Sequence, residues 1–109
     1  MKGLTLEQIE REMATVTTPG RLAELRVLLS AKYAQATNEY ERILLAKPAI
    51  WNELRKDVKS DTRAEREWEA TELGQGERHW KFQIKKIEKM MSAIKTLIDV
   101  RTGEAQNLY

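Results

Sequence analysis

Residues 62–101 constrain the whole chain. Apolar side chains recur there as Trp80, Ile84, Ile87, Met91, Ile94 and Ile98, in alternating steps of four and three. At 3.6 residues per turn, that spacing keeps them on one side of a helix. A stripe of six needs cover from other helices, so the chain is expected to be all-α, with this stripe as core or interaction face. Five Gly and two Pro among 109 residues suit long helices better than a loop-rich β fold.

The charge on the same stretch is divided. Residues 61–77 carry six acidic side chains against Arg63 and Arg66, a balance of −4. Residues 78–101 carry seven basic side chains against Glu88 and Asp99, a balance of +5. Acid at a helix start and base at its end both favour the macrodipole. Two copies laid antiparallel would also set acidic halves against basic ones, which favours a homo-oligomer of that sense.

Earlier in the chain, Thr5 and Gln8 form a capping-box pattern, followed by Leu6, Ile9 and Met13 on one face. A short helix ending near Val16 is expected. Thr18 and Pro19 suit a cap and a first helical position. A near-heptad stripe then runs through Leu22, Leu25, Leu29, Ala36, Tyr40 and Ile43, with Lys32 or Tyr33 across the gap. That period favours coiled-coil-like packing. Val27, Leu28, Leu44 and Leu45 widen it, as though for more than one neighbour.

Pro48 predicts a stop or kink near Lys47, because a proline removes a helical hydrogen bond and crowds the preceding turn. Ile50, Trp51, Leu54 and Val58 then mark a second short helix, and Thr62 with Glu65 a second capping box. Gly74-Gln75-Gly76 is the weak place of the C-terminal helix and predicts a kink or a brief loop dividing the element in two. Thr102-Gly103 predicts its end.

The expected architecture is one domain, an elongated antiparallel helical hairpin or bundle of two long and two short helices. Their spans are 1–17 (short), 18–47 (long), 48–60 (short connection) and 61–102 (long, kinked at 74–76).

Composition excludes more chemistry than it suggests. With no cysteine, disulfides and thiolate metal sites are absent. No apolar run is long enough for a membrane span, and residues 1–13 lack the continuous apolar core of a signal peptide. A cytoplasmic protein without membrane contact is expected. Net charge is only +2, too small to imply nucleic acid by itself.

Glu65, Glu69 and Glu72 at i, i+4 and i+7 have the spacing of helical carboxylate metal sites. Glu39 and Glu41 do not supply the facing set, so no metal is expected. His79 is the single histidine and has no cysteine or second histidine beside it. No nucleophile elbow or phosphate-binding loop is present, so neither an enzyme nor a cofactor is expected. Trp51, Trp68 and Trp80 lie at helical apolar positions and are read as core anchors.

Lys81, Lys85 and Lys89 form a basic line, with Arg78 and Lys86 beside it. The line sits roughly 140° around the helix from the apolar stripe, facing outward. Such a face can track phosphates, with Trp80, His79 and Phe82 nearby to stack on bases. These five residues are the candidate nucleic-acid contacts.

The run SDTRAEREWEATELGQGERHWKFQIKKIEKMMSAIKTLI, over residues 60–98, resembles the small helical accessory proteins of tailed phages and prophages. What is shared is general character, since those proteins too are short, cysteine-free, charge-rich and helical. The resemblance implies a protein that works by binding, within phage DNA replication or recombination or against a host factor. It assigns no role to any residue. The leading expectation is a non-enzymatic interaction or adaptor protein that self-associates or binds a protein partner through helical faces. The alternative is a nucleic-acid-associated protein using Arg78, Lys81, Lys85, Lys86 and Lys89.

Overall fold

Three of the four helices described begin where a side-chain oxygen accepts one of the first backbone N–H groups. The computed structural model describes residues 3–15 and 18–107. They form α1 (Leu6–Thr15), α2 (Pro19–Asp57), α3 (Asp61–Ala70) and α4 (Glu72–Asn107). No strand occurs among the described residues, so the chain is all-α.

At α1, the Thr5 N–H donates to Gln8 Oε1 at 2.8 Å and the Gln8 N–H donates to Thr5 Oγ1 at 3.1 Å. This is the reciprocal box expected from the sequence. Pro19 opens α2, and the Leu22 N–H donates to the Thr18 carbonyl at 3.2 Å. The cap of α3 is Ser60 rather than Thr62. Its backbone is extended (φ −135°, ψ 151°) and its hydroxyl accepts the Arg63 N–H at 3.2 Å.

Three boundaries differ from the sequence expectation. First, α2 runs through Pro48 to Asp57, so residues 48–60 are not a separate connecting helix. Pro48 is exposed, as are Leu44 and Leu45 one turn earlier. The carbonyl that loses its partner therefore lies on the side open to solvent, where the cost of interrupting the ladder is lowest.

Second, residues 61–102 are divided into two helices, but not at the glycines. The break falls at Thr71, three residues before the Gly74–Gly76 segment, and both glycines lie inside α4. Third, α4 passes Thr102-Gly103 and continues to Asn107. No described glycine has positive φ, so Gly103 makes no left-handed cap.

Two compact units divide the chain: Met1–Ala34 with Lys85–Tyr109, and Gln35–Ile84. In the first, Ile9, Leu22, Leu25, Leu29, Ile87, Met90 and Ile94 are buried. Arg21 joins α1 to α2. Its Nη2 donates to both Glu12 oxygens at 2.7 and 2.9 Å, and its Nη1 donates to Glu24 at 2.8 Å. The hydrogen bonds it donates to Glu24 and then to Glu12 raise the Arg21 pKa above its ordinary value. Lys86 on α4 reaches Glu10 on α1 at 3.7 Å. The Tyr33 hydroxyl donates to Glu88 at 3.2 Å, and this bond raises the phenol's pKa.

In the second unit the buried apolar residues are Ala36, Ile43, Val58, Ala64 and Trp68. Among the described residues, no polar or charged side chain is buried in either core.

The expected C-terminal stripe has two depths. Ile87 and Ile94 are buried, whereas Trp80, Ile84, Met91 and Ile98 are half-buried. Met90, which lies outside the expected stripe, is 6% exposed and deeper than Met91. A helix of 3.6 residues per turn drifts against a seven-residue repeat, and the neighbouring position takes up the drift. In α2, Leu22, Leu25, Leu29, Ala36 and Ile43 are buried and Tyr40 is half-buried.

Candidate functional site

The most elaborated local structure lies in the second unit, where α3 ends and α4 begins. The Thr71 hydroxyl donates to the Trp68 carbonyl at 2.6 Å and accepts the Gly74 N–H at 3.0 Å. The Thr71 N–H also donates to the Trp68 carbonyl, at 3.0 Å, and the Gln75 N–H donates to the Thr71 carbonyl at 3.0 Å. Thr71 thus closes one helix and opens the next. A Cβ on Gly74 would stand 1.8 Å from the Trp68 carbonyl oxygen and 2.7 Å from its carbon. Glycine is required here by close backbone approach, not by unusual dihedral angles. Gly76 is also tight, since a Cβ there would meet Ile43 Cδ1 at 3.1 Å.

This corner holds Trp68, which is only 2% exposed. Its indole Nε1–H donates to Glu77 Oε2 at 3.1 Å. Glu77 also receives Lys47 Nζ from α2, at 3.2 Å to Oε2 and 3.3 Å to Oε1. The same ammonium lies 5.2 Å from the Trp68 ring centroid and 6.0 Å from that of Trp51. Lys47 is therefore held by one carboxylate and two aromatic faces, in a partly desolvated place where such contacts gain strength.

Beside the cluster is an open groove of about 830 Å³, lined on the α3 side by Glu65 and Glu69 and on the α4 side by Arg78, Lys81 and Phe82, with Trp68 also on its wall. Glu65, Glu69, Arg78 and Lys81 are exposed and, among the described residues, make neither ion pairs nor side-chain hydrogen bonds. Phe82 is 71% exposed. The groove thus has an acidic wall, a basic wall and an uncovered aromatic ring.

The sequence-predicted residues divide as follows. Arg78 and Lys81 line this groove. In the other unit, Lys85 and Lys89 are exposed and have no ion pair among the described residues, while Lys86 is half-buried against Glu10. Glu72 lies beyond the Thr71 break and does not line the groove, so it does not continue the Glu65–Glu69 face. Among the described residues, no three His, Cys, Asp or Glu side chains converge as metal ligands would. His79 is exposed, its ring edge-on to Trp80 at 4.9 Å. Trp68 is core, whereas Trp51 and Trp80 are half-buried.

Lys47 and Glu77 were missed by sequence reasoning. They are 30 positions apart, and nothing local pairs them. No helix among the described residues is long and apolar enough to cross a membrane.

Comparison with known proteins finds no matching family model, and neither a curated protein nor a solved structure matches the chain significantly.

Proposed function

We propose that the chain is a non-enzymatic helical interaction protein that self-associates, in the cytoplasm, through faces left open by its helices. The observation that carries this reading is the groove in the second unit, where an exposed Phe82 stands among four charges that have no partner among the described residues. A large exposed aromatic beside unsatisfied charges of both signs is the composition of a protein-binding surface, with an apolar anchor and a polar rim.

An antiparallel arrangement of the long helices belongs to the same reading. It is supported within the second unit, where the chain turns back to bring Lys47 and Glu77 side chains to 3.2 Å. The resemblance to small phage accessory proteins points the same way, to a protein that acts by binding. Sedimentation velocity over a wide concentration range tests the reading. Reversible, concentration-dependent association is expected, and a monomer throughout would overturn it.

A nucleic-acid role is the second reading, favoured by the exposure of Lys81, Lys85 and Lys89, which have no ion pair among the described residues. Lys86 contributes less to it, being engaged by Glu10. Electrophoretic shift of single- and double-stranded DNA at low salt decides between the two. Binding that disappears on charge reversal at Lys81, Lys85 and Lys89 supports this reading, and no shift removes it.

A further inference from the structure

We propose that the α3–α4 groove is the seat of a second copy of this chain, the two copies related by a two-fold axis running along the groove. The inference rests on the self-association reading and names its surface. One wall carries Glu65 and Glu69, one helical turn apart on α3, and the other carries Arg78 and Lys81 on α4.

Two-fold symmetry brings the same patch of each copy against itself. For a surface divided into an acidic and a basic half, the direction of the axis decides the outcome. An in-plane axis perpendicular to the groove sets like charge on like. An axis along the groove sets the acidic wall of each copy against the basic wall of the other, on both sides at once. Few partners match a surface of both signs so fully, and a second copy does so by construction.

The state of the groove residues fits this occupant. All four charges are exposed and, among the described residues, unpaired, so association requires no ion pair seen there to break. Phe82 lies 71% exposed on the basic side and supplies the apolar contact that charge pairs alone do not. Lys47 and Glu77 also line the groove, but they are already paired with each other and act as support.

Symmetry gives a test that structural damage does not imitate. In Glu65→Lys/Glu69→Lys both walls become basic, and in Arg78→Glu/Lys81→Glu both become acidic. Each double variant alone repels its own copy, yet the two complement each other. In sedimentation velocity at low salt, the dimer dissociation constant of each variant alone is expected to rise roughly tenfold or more, and the equimolar mixture to regain wild-type association as a heterodimer. The mixture should lose that affinity at high salt.

Lys85→Glu/Lys89→Glu, changed outside the groove, should associate like wild type. Phe82→Ser, at an exposed position, should weaken the dimer while leaving the helical circular dichroism and melting temperature unchanged. A wild-type dimer that survives both double variants places the interface elsewhere and overturns this proposal alone. So does a pair of monomeric variants that do not recombine on mixing. A wild-type chain that remains monomeric overturns the self-association reading as well.

Discussion

The α-carbon of Gly74 faces the Trp68 carbonyl so closely that one methyl group cannot be added without moving backbone. In Gly74→Ala the overpacking cost falls at or above the upper end of about 1–3 kcal/mol. The helix propensity of alanine returns only roughly 1 kcal/mol. The variant is expected to melt several degrees below wild type. Gly20→Ala, at an exposed helical position with no atom near the added Cβ, should melt at or slightly above it. Equal melting points for the two variants would refute the close approach. The sequence points to residues 74–76 as a place of backbone weakness, but not to the reason. The glycines are needed by a neighbour's carbonyl, which no local propensity records.

At the scale of elements, α2 carries a proline in its interior because the lost hydrogen bond faces solvent. Pro48→Ala restores the N–H and removes the ring. It is expected to stabilise the chain by about 2 kcal/mol, the roughly 3 kcal/mol helix penalty of proline less the entropy it removes from the unfolded chain. A thermal melt reads the effect, and an unchanged or lower midpoint would mean that the ring packs against something.

The helices themselves are legible in the sequence because a 3.6-residue rhythm is a local signal. The starts of α1 and α2 are legible because caps are local too. Pro48 and Thr71 are not, since continuity at one and interruption at the other depend on what lies across space. The same limit governs the site. Arg78, Lys81, Lys85 and Lys89 can be read as outward charges from spacing alone, and they are exposed. The Lys47–Glu77 pair closes over a separation that no pattern in the sequence marks.

For the whole molecule, the division into units has a testable consequence. One unit is a single contiguous stretch, Gln35–Ile84, whereas the other needs both ends of the chain. The peptide 35–84 contains its own buried Trp68, the Thr71 corner and the Lys47–Glu77 contact. Near the lower size limit for independent folding, it should be helical and melt cooperatively, but well below the full chain. Peptides 1–34 and 85–109 should each be largely unfolded when apart, for want of the other's apolar face. Circular dichroism of the three peptides checks this, and a non-cooperative melt of 35–84 would show that the unit has no stability of its own.

Because no polar side chain is buried among the described residues, aliphatic side chains make up most of the interior. Leucine, isoleucine and methionine replace one another in such surroundings at little expense when volume is kept. Over many generations Leu22, Leu25, Leu29 and Ile94 can wander while the architecture stands. What cannot wander freely is the hydroxyl at 71 and the bare α-carbon at 74. Kinship with this chain should therefore be sought at that hinge of two helices, where drift is forbidden, before it is sought in the oil.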